Sequence, residues 1–153
     1  MKRGGIGRQI LWVFIAAVIG YAAVFGFIEH RRVVKGPWRV TFTNESGAPA
    51  LIVNQPALAI HDVRTLFSGE PAPTNAPQTL AFAEGRPVPF DVPFGQCVFL
   101  DAIFLPGTVA FEMFGHEIQL MPHTLTVDKV PRPWRSGETI ALNQPEKPRG
   151  VRP

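Results

Sequence analysis

The hydrophobic residues of this chain fall into two patterns, one long unbroken run near the N-terminus and many short interrupted runs after it. The long run covers residues 10–28 and holds 19 consecutive uncharged residues. As an α-helix it would be about 28 Å long, close to the roughly 30 Å hydrocarbon core of a bilayer. The pattern therefore predicts a transmembrane helix at 10–28, between a basic tail at 1–9 and a basic linker at 29–36.

A cleaved signal peptide is the alternative interpretation of this run. Signal peptides carry an apolar region of about 7–15 residues that is followed by a cleavage site of small residues. Here the run is longer, and Phe27, Ile28 and Glu29 stand where small residues would be needed. We therefore expect the helix to be retained as a single-pass signal anchor.

Residues at both ends of the predicted helix suit a membrane interface, because basic side chains and Trp favour the headgroup region. The candidate interface residues are Arg8, Trp12, Arg31, Arg32 and Lys35. Ala16, Gly20 and Ala23 share one face of the helix and would let a second helix approach closely. The predicted partners are therefore membrane lipid and one or more proteins in the membrane.

The charges that flank the helix leave its orientation open. Three Lys or Arg residues precede the run and four follow it within about 15 residues. The simplest insertion route keeps the short basic tail in the cytoplasm. We therefore expect the rest of the chain on the extracytoplasmic, periplasmic side of a bacterial envelope.

After residue 36 the pattern changes to short apolar or alternating runs. All 16 prolines lie from Pro37 onward, and Pro, Gly, Asn and Asp bound the runs. Eight or nine short strands with turns every 8–12 residues are typical of an antiparallel β-sandwich or a small barrel-like domain. The fold class is thus mainly β, with a β-domain at 37–142 and a disordered, proline-rich tail at 143–153.

Two features of the β-domain suggest how its core and its surface are built. The tripeptide Pro-Trp-Arg occurs at 37–39 and again at 133–135, and we expect Trp38 and Trp134 to fill the two ends of the core. The apolar residues 51–53, together with the proline-rich edge strands, are a candidate surface for a protein partner.

The charge distribution excludes one function class. The 153-residue chain has a net charge of +3, but residues 37–142 alone carry −4, and the basic residues cluster around the helix and in the tail. A nucleic-acid-binding domain needs a basic surface for phosphates. We therefore predict no nucleic-acid partner.

The strongest hairpin signal centres on Pro106 and Gly107, which separate two apolar stretches. With this dipeptide at the middle of the loop, Asp101 lies directly opposite Glu112, and like charges in such a pair repel. A divalent metal bound by Asp101, Glu112 and His116 would relieve the repulsion, with His123 as a further ligand. A nearby arginine, a shared proton or solvent would relieve it as well. We expect a partly solvated face on which arginine or water screens the carboxylates, and hence no cofactor, with the divalent metal as the alternative.

The same register makes two further predictions. It places Leu100, Ala102 and Phe104 on an entirely apolar face, which should belong to the core. It also places Cys97 opposite His116, where the thiol could act as a nucleophile and the imidazole as its general base. The apolar neighbours of Cys97 argue against an activated thiol, because activation needs an electropositive and exposed setting.

The sequence carries no phosphate-binding glycine loop and no hydrolase or metalloprotease motif. We therefore predict a non-catalytic, membrane-anchored β-domain that acts as an accessory subunit or protein-binding module of a membrane complex. One alternative is a membrane-anchored metal-dependent enzyme that uses the carboxylate and histidine cluster. Another is a module of the cell envelope that binds carbohydrate or peptide.

Overall fold

The computed structural model describes residues 5–33 and 35–144. A helix, α1, covers Gly5–Val33 and is 29 residues long. Eleven strands follow within the described residues: β1 (Arg39–Glu45), β2 (Ala48–Gln55), β3 (Ile60–Phe67), β4 (Gln78–Ala81), β5 (Phe90–Val92), β6 (Gly95–Asp101), β7 (Thr108–Met113), β8 (His116–Leu120), β9 (Leu125–Val127), β10 (Val130–Arg132) and β11 (Thr139–Leu142). The first four residues of the basic tail and residues 145–153 of the predicted disordered tail lie outside the described residues.

The helix α1 contains the predicted span at 10–28 and extends beyond it at both ends. It is long and apolar enough to cross a membrane, and none of its apolar stretch is buried in the β-domain. Its last turn is basic, which suits the negative end of the helix dipole. The helix ends at Val33. The chain then turns at Gly36, whose φ is +72°, and Pro37 follows, which cannot continue a helix.

The strands form two sheets, which confirms the mainly β fold class and the β-sandwich. The five-stranded sheet has the order β11-β3-β2-β1-β4, and the six-stranded sheet has the order β10-β9-β8-β7-β6-β5. Neighbouring strands are antiparallel except β11, which runs parallel to β3 and pairs residues 139–142 with residues 64–67. This parallel pair departs from the predicted antiparallel arrangement, because the connection at 133–138 returns the chain from β10 to the first sheet.

Three hairpins turn through two residues with positive φ at both positions, as in type I′ turns. They are Ser46-Gly47, Phe114-Gly115 and Asp128-Lys129. The third one explains a difference from the sequence prediction. A single strand is predicted over 124–130, but Asp128 and Lys129, with φ values of 49° and 66°, reverse the chain and divide it into β9 and β10.

Aromatic side chains of the two sheets meet in the core. Phe111 of β7 lies edge-on to Phe42 of β1, with ring centroids 6.4 Å apart, and edge-on to Phe82 at 5.2 Å. Offset and edge-on ring contacts add to the stability that burial alone provides. Leu51 and Val53 are also buried in this core, because β2 is a central strand. The prediction that residues 51–53 form a partner surface is therefore wrong.

Trp38 and Trp134 lie together rather than at opposite ends of the core. Their rings stack with centroids 5.1 Å apart and an interplanar angle of 29°. Each indole N–H donates to a backbone oxygen, from Trp38 to Gly107 at 3.0 Å and from Trp134 to Met121 at 2.8 Å. The prediction of two separate plugs is wrong, because the parallel return of the chain brings residue 134 back beside the start of β1.

His116 joins the two sheets through hydrogen bonds. Its Nδ1 lies 2.7 Å from Oδ2 of Asp128, and its Nε2 lies 2.9 Å from the backbone oxygen of Asn143, the residue after β11. Both contacts lie within hydrogen-bond distance, and both ring nitrogens are thereby engaged. The other Asp128 oxygen accepts the backbone N–H of Glu117. The buried imidazole thus holds the end of the five-stranded sheet against β8.

We predict that His116→Phe lowers the free energy of unfolding by about 1–3 kcal/mol, because both hydrogen bonds are lost while a buried aromatic ring, slightly larger than imidazole, is kept. The matched control is His123→Phe at an exposed position, which should change stability by less than about 0.5 kcal/mol. Urea unfolding of the full chain in detergent, followed by tryptophan fluorescence, measures both. Equal effects of the two variants would contradict the role of His116.

Candidate functional site

The hairpin of β6 and β7 has a different register from the predicted one. Asp101 pairs with Thr108, and Glu112 pairs with Gln96 on one side and Glu117 on the other. Six loop residues, 102–107, separate the strands instead of a tight turn at Pro106-Gly107, and the register shifts again between Cys97 and Phe99. The predicted pairing of Asp101 with Glu112 is therefore wrong.

The three candidate metal ligands have separate environments. Asp101 accepts the backbone N–H of Ile103 at 3.0 Å, which shapes the loop. Glu112 is exposed on β7, and both ring nitrogens of His116 are engaged by Asp128 and Asn143. Within residues 5–33 and 35–144, no group of three or more His, Cys, Asp or Glu residues is arranged to hold a metal ion. The divalent metal stays an untested alternative to the expectation of no cofactor, and the strand pairing that motivated it is not observed.

The single cysteine lies in the core. Cys97 pairs with Phe111, whereas His116 pairs with Met113, so the predicted facing of Cys97 and His116 is wrong. Burial raises the pKa of the Cys97 thiol to about 11, and this effect outweighs a hydrogen bond to the Phe99 backbone and the charge of Arg86, which act in the opposite direction. The thiol is therefore held in its neutral, unreactive form.

The end of α1 is attached directly to the β-sandwich. The backbone N–H of Leu105, in the loop between β6 and β7, donates to the backbone oxygen of Arg32 at 2.8 Å. The last carbonyl groups of a helix have no partner within the helix, so the loop satisfies one that would otherwise need water. This bond places the loop at 102–107 beside the last turn of α1.

A buried glutamine holds the chain that leaves the helix. The Nε2 of Gln55 donates to the backbone oxygens of Gly36 at 2.9 Å and Pro37 at 3.0 Å, and its Oε1 accepts the N–H of Ala57. Gln55 is only 1% exposed. Sequence reasoning missed this residue because Asn54, Gln55 and Pro56 look like an ordinary polar turn.

The predicted interface residues lie at the two ends of α1. Arg8 and Arg31 are 23 positions apart, or about 34 Å along the helix, which matches the separation of two headgroup regions. At the C-terminal end the guanidinium of Arg31 lies over the ring of Phe27, 5.5 Å from its centroid, and Arg32 pairs with Glu29.

The remaining candidate residues for the membrane interface and for helix packing are exposed. Trp12 and Lys35 are exposed. Ala16, Gly20 and Ala23 are exposed too, and a Cβ placed on Gly20 would meet nothing within 4 Å. These residues are free to contact lipid or another helix, and their roles stay predictions.

Beside the junction is an open cavity of about 610 Å³ between the helix and the sandwich. Ile28, Glu29 and Arg32 of α1 line one side of it, and residues 99–104 line the other. The predicted core face is right for Ala102, which is buried, and wrong for Phe104, which is 58% exposed. The strand ends at Asp101, so the alternation of inward and outward side chains stops there.

No protein-family model matches this chain, and no curated protein or solved structure matches it significantly.

We predict that Gln55→Ala increases the rate of trypsin cleavage after Lys35 about tenfold. A tenfold larger population of detached, cleavable chain corresponds to a loss of 1.4 kcal/mol in the free energy that holds this segment. The change removes both hydrogen bonds that hold the chain at Gly36 and Pro37. The matched control is Gln96→Ala, because the side chain of Gln96 is exposed and donates to the exposed carboxylate of Asp91 at 3.3 Å. Mass spectrometry of timed digests of the full chain in detergent identifies the cut. Equal cleavage rates in the two variants would show that Gln55 does not hold the junction.

We predict that iodoacetamide labels Cys97 of the native chain at least a hundredfold more slowly than that of the urea-unfolded chain at pH 8. With a pKa of about 11, about one native thiol in a thousand is ionised at that pH, and the side chain is also shielded by the core. The native rate should rise with pH from 8 to 10, because only the thiolate reacts. Labelling at the same rate before and after unfolding would contradict this environment.

Proposed function

We propose that this chain is a single-pass membrane protein whose β-sandwich is a non-catalytic accessory subunit or protein-binding module of a membrane complex in a bacterial envelope. The observation that carries the proposal is the hydrogen-bonded junction between α1 and the sandwich. An accessory subunit must present its surfaces at a defined height above the bilayer. Leu105 and Gln55 supply such a defined position by binding the backbone at Arg32, Gly36 and Pro37.

The edges of the two sheets support a binding role. The strand β4 ends the five-stranded sheet, and β10, whose three residues are all exposed, ends the six-stranded sheet. Edge strands offer unpaired backbone groups to which an extended partner segment can add. Pro131 within β10 limits this edge to a short contact.

The proposal includes an extracytoplasmic β-sandwich. Residues 1–9, before the apolar run, are basic, and basic segments beside a membrane helix favour the cytoplasm. The acidic balance of residues 37–142 gives no electrostatic reason to retain the sandwich on that side.

Purification from native membranes in mild detergent tests the proposal. We expect the wild-type chain to be recovered with a defined protein at a constant ratio. Gly20→Leu should lower the recovery of that protein about tenfold, equivalent to 1.4 kcal/mol, because a larger side chain keeps two helices apart. Ala22→Leu is the matched control, since residue 22 lies on the opposite face of α1 from Gly20.

A wild-type chain recovered as a monomer with lipid and detergent alone would contradict the accessory-subunit role. Full recovery of the partner with both variants would assign the contact to the β-sandwich instead of this face of the helix. Loss of the partner with Ala22→Leu alone would move the contact to the opposite face.

A further inference from the structure

Three large apolar side chains of the β-sandwich are exposed beside the end of α1. They are Phe99 at the end of β6, which is 51% exposed, and Ile103 and Phe104 in the following loop, which are 66% and 58% exposed. We call these three residues the apolar platform. Together with Ile28 and Arg32 they line the open cavity between helix and sandwich.

The platform has a fixed shape. The carboxylate of Asp101 accepts the N–H of Ile103, and the backbone oxygen of Gly107 accepts the indole N–H of Trp38. Gly107 has a φ of +66°, and a Cβ at this position would collide with the backbone oxygen of Asp101, so only glycine closes the loop. Ile103 and Phe104 are therefore held outward instead of folding into the core.

The height of the platform follows from the bond between Leu105 and Arg32. Ile28 is the last residue of the uncharged run, and Arg32 lies one turn later, about 6 Å further along the axis. The headgroup region extends roughly 5–7 Å beyond the hydrocarbon core on each side. If Ile28 marks the edge of the hydrocarbon, then Ile103 and Phe104 lie in the headgroup region.

We infer that the apolar platform inserts into the outer part of the bilayer beside α1, so that lipid fills the cavity and seats the β-sandwich on the membrane. This inference rests on the proposed membrane anchoring. Apolar side chains in the headgroup region bury about 5–10 Å deep beside basic residues that bind lipid phosphates. Arg31, Arg32 and Lys35 provide the basic residues at this end of the helix.

Lipid is a better occupant than a protein. Lipid is the immediate neighbour of a single helix at this height. Three side chains also offer much less than the roughly 800 Å² that each side of a standard protein interface buries. The continuity of the cavity with Ile28 therefore favours lipid as its occupant.

Spin-label depth measurements test this inference. Ile103→Cys and Phe104→Cys are labelled with a nitroxide in the full chain, with one copy per nanodisc of phosphatidylcholine and phosphatidylglycerol. Cys97 stays unlabelled because it is buried with a raised pKa. Val18→Cys in α1 reports the anchoring. Val130→Cys is the control for an exposed site, since β10 lies four strands from β6, or about 19 Å.

Oxygen concentrates in lipid, whereas a nickel chelate stays in water. We expect labels at 103 and 104 to collide with oxygen at least threefold more often than with the nickel chelate. We expect the label at 130 to collide more often with the nickel chelate. Labels at 103 and 104 that behave like the label at 130 would overturn the inference. Exclusion of both reagents would overturn it too, since protein would then cover the platform. A label at 18 that favours the nickel chelate would instead overturn the anchoring on which the proposed function depends.

Discussion

A backbone hydrogen bond joins the last turn of α1 to the loop between β6 and β7, and the position of the β-sandwich relative to the helix depends on it. The donor is Leu105 and the acceptor is Arg32. A single backbone hydrogen bond adds only about 0.5–1.5 kcal/mol of net stability. Here it is supported by Gln55, which holds the backbone at Gly36 and Pro37, and by Trp38, which binds the same loop at Gly107. These hydrogen bonds give the β-sandwich a defined orientation relative to α1, which the covalent chain between them alone would not provide.

The packing of the two sheets makes this junction possible. Trp38 lies directly before β1 and after the held segment, and its ring stacks on Trp134, which lies in the connection between β10 and β11. The start of the β-domain and this connection therefore meet near the loop that binds the helix. His116 of β8 makes a comparable connection elsewhere, because one ring nitrogen bonds the backbone of Asn143, the residue after β11, and the other bonds Asp128. Both connections use buried polar groups with their partners satisfied, which stabilises one arrangement of the sheets over others.

The sequence was sufficient for those parts of the structure that depend on local pattern. A run of 19 uncharged residues predicts the helix, and alternating runs between prolines predict most strands. Pairing was harder, because one residue of slip exchanges the two faces of a strand. Nothing near Pro106 and Gly107 reveals a six-residue loop, so Asp101 was paired with Glu112 instead of Thr108. Gln55 could not be recognised either, since its partners are 18 and 19 positions away and become visible only after the sheet forms.

The failure of the predicted register and the origin of the apolar platform have the same cause. Had β6 continued past Asp101, Phe104 would face the core and the loop would be too short to reach α1. The strand instead ends early, and Asp101 uses its carboxylate to cap the loop at Ile103. The residues released from the sheet then do two things: the backbone of Leu105 binds the helix, and the side chains of Ile103 and Phe104 remain exposed beside it. An apolar surface of this kind is unfavourable in water. The inferred insertion beside α1 would take this surface out of water, so the proposed anchoring of the helix and the exposure of the loop explain each other.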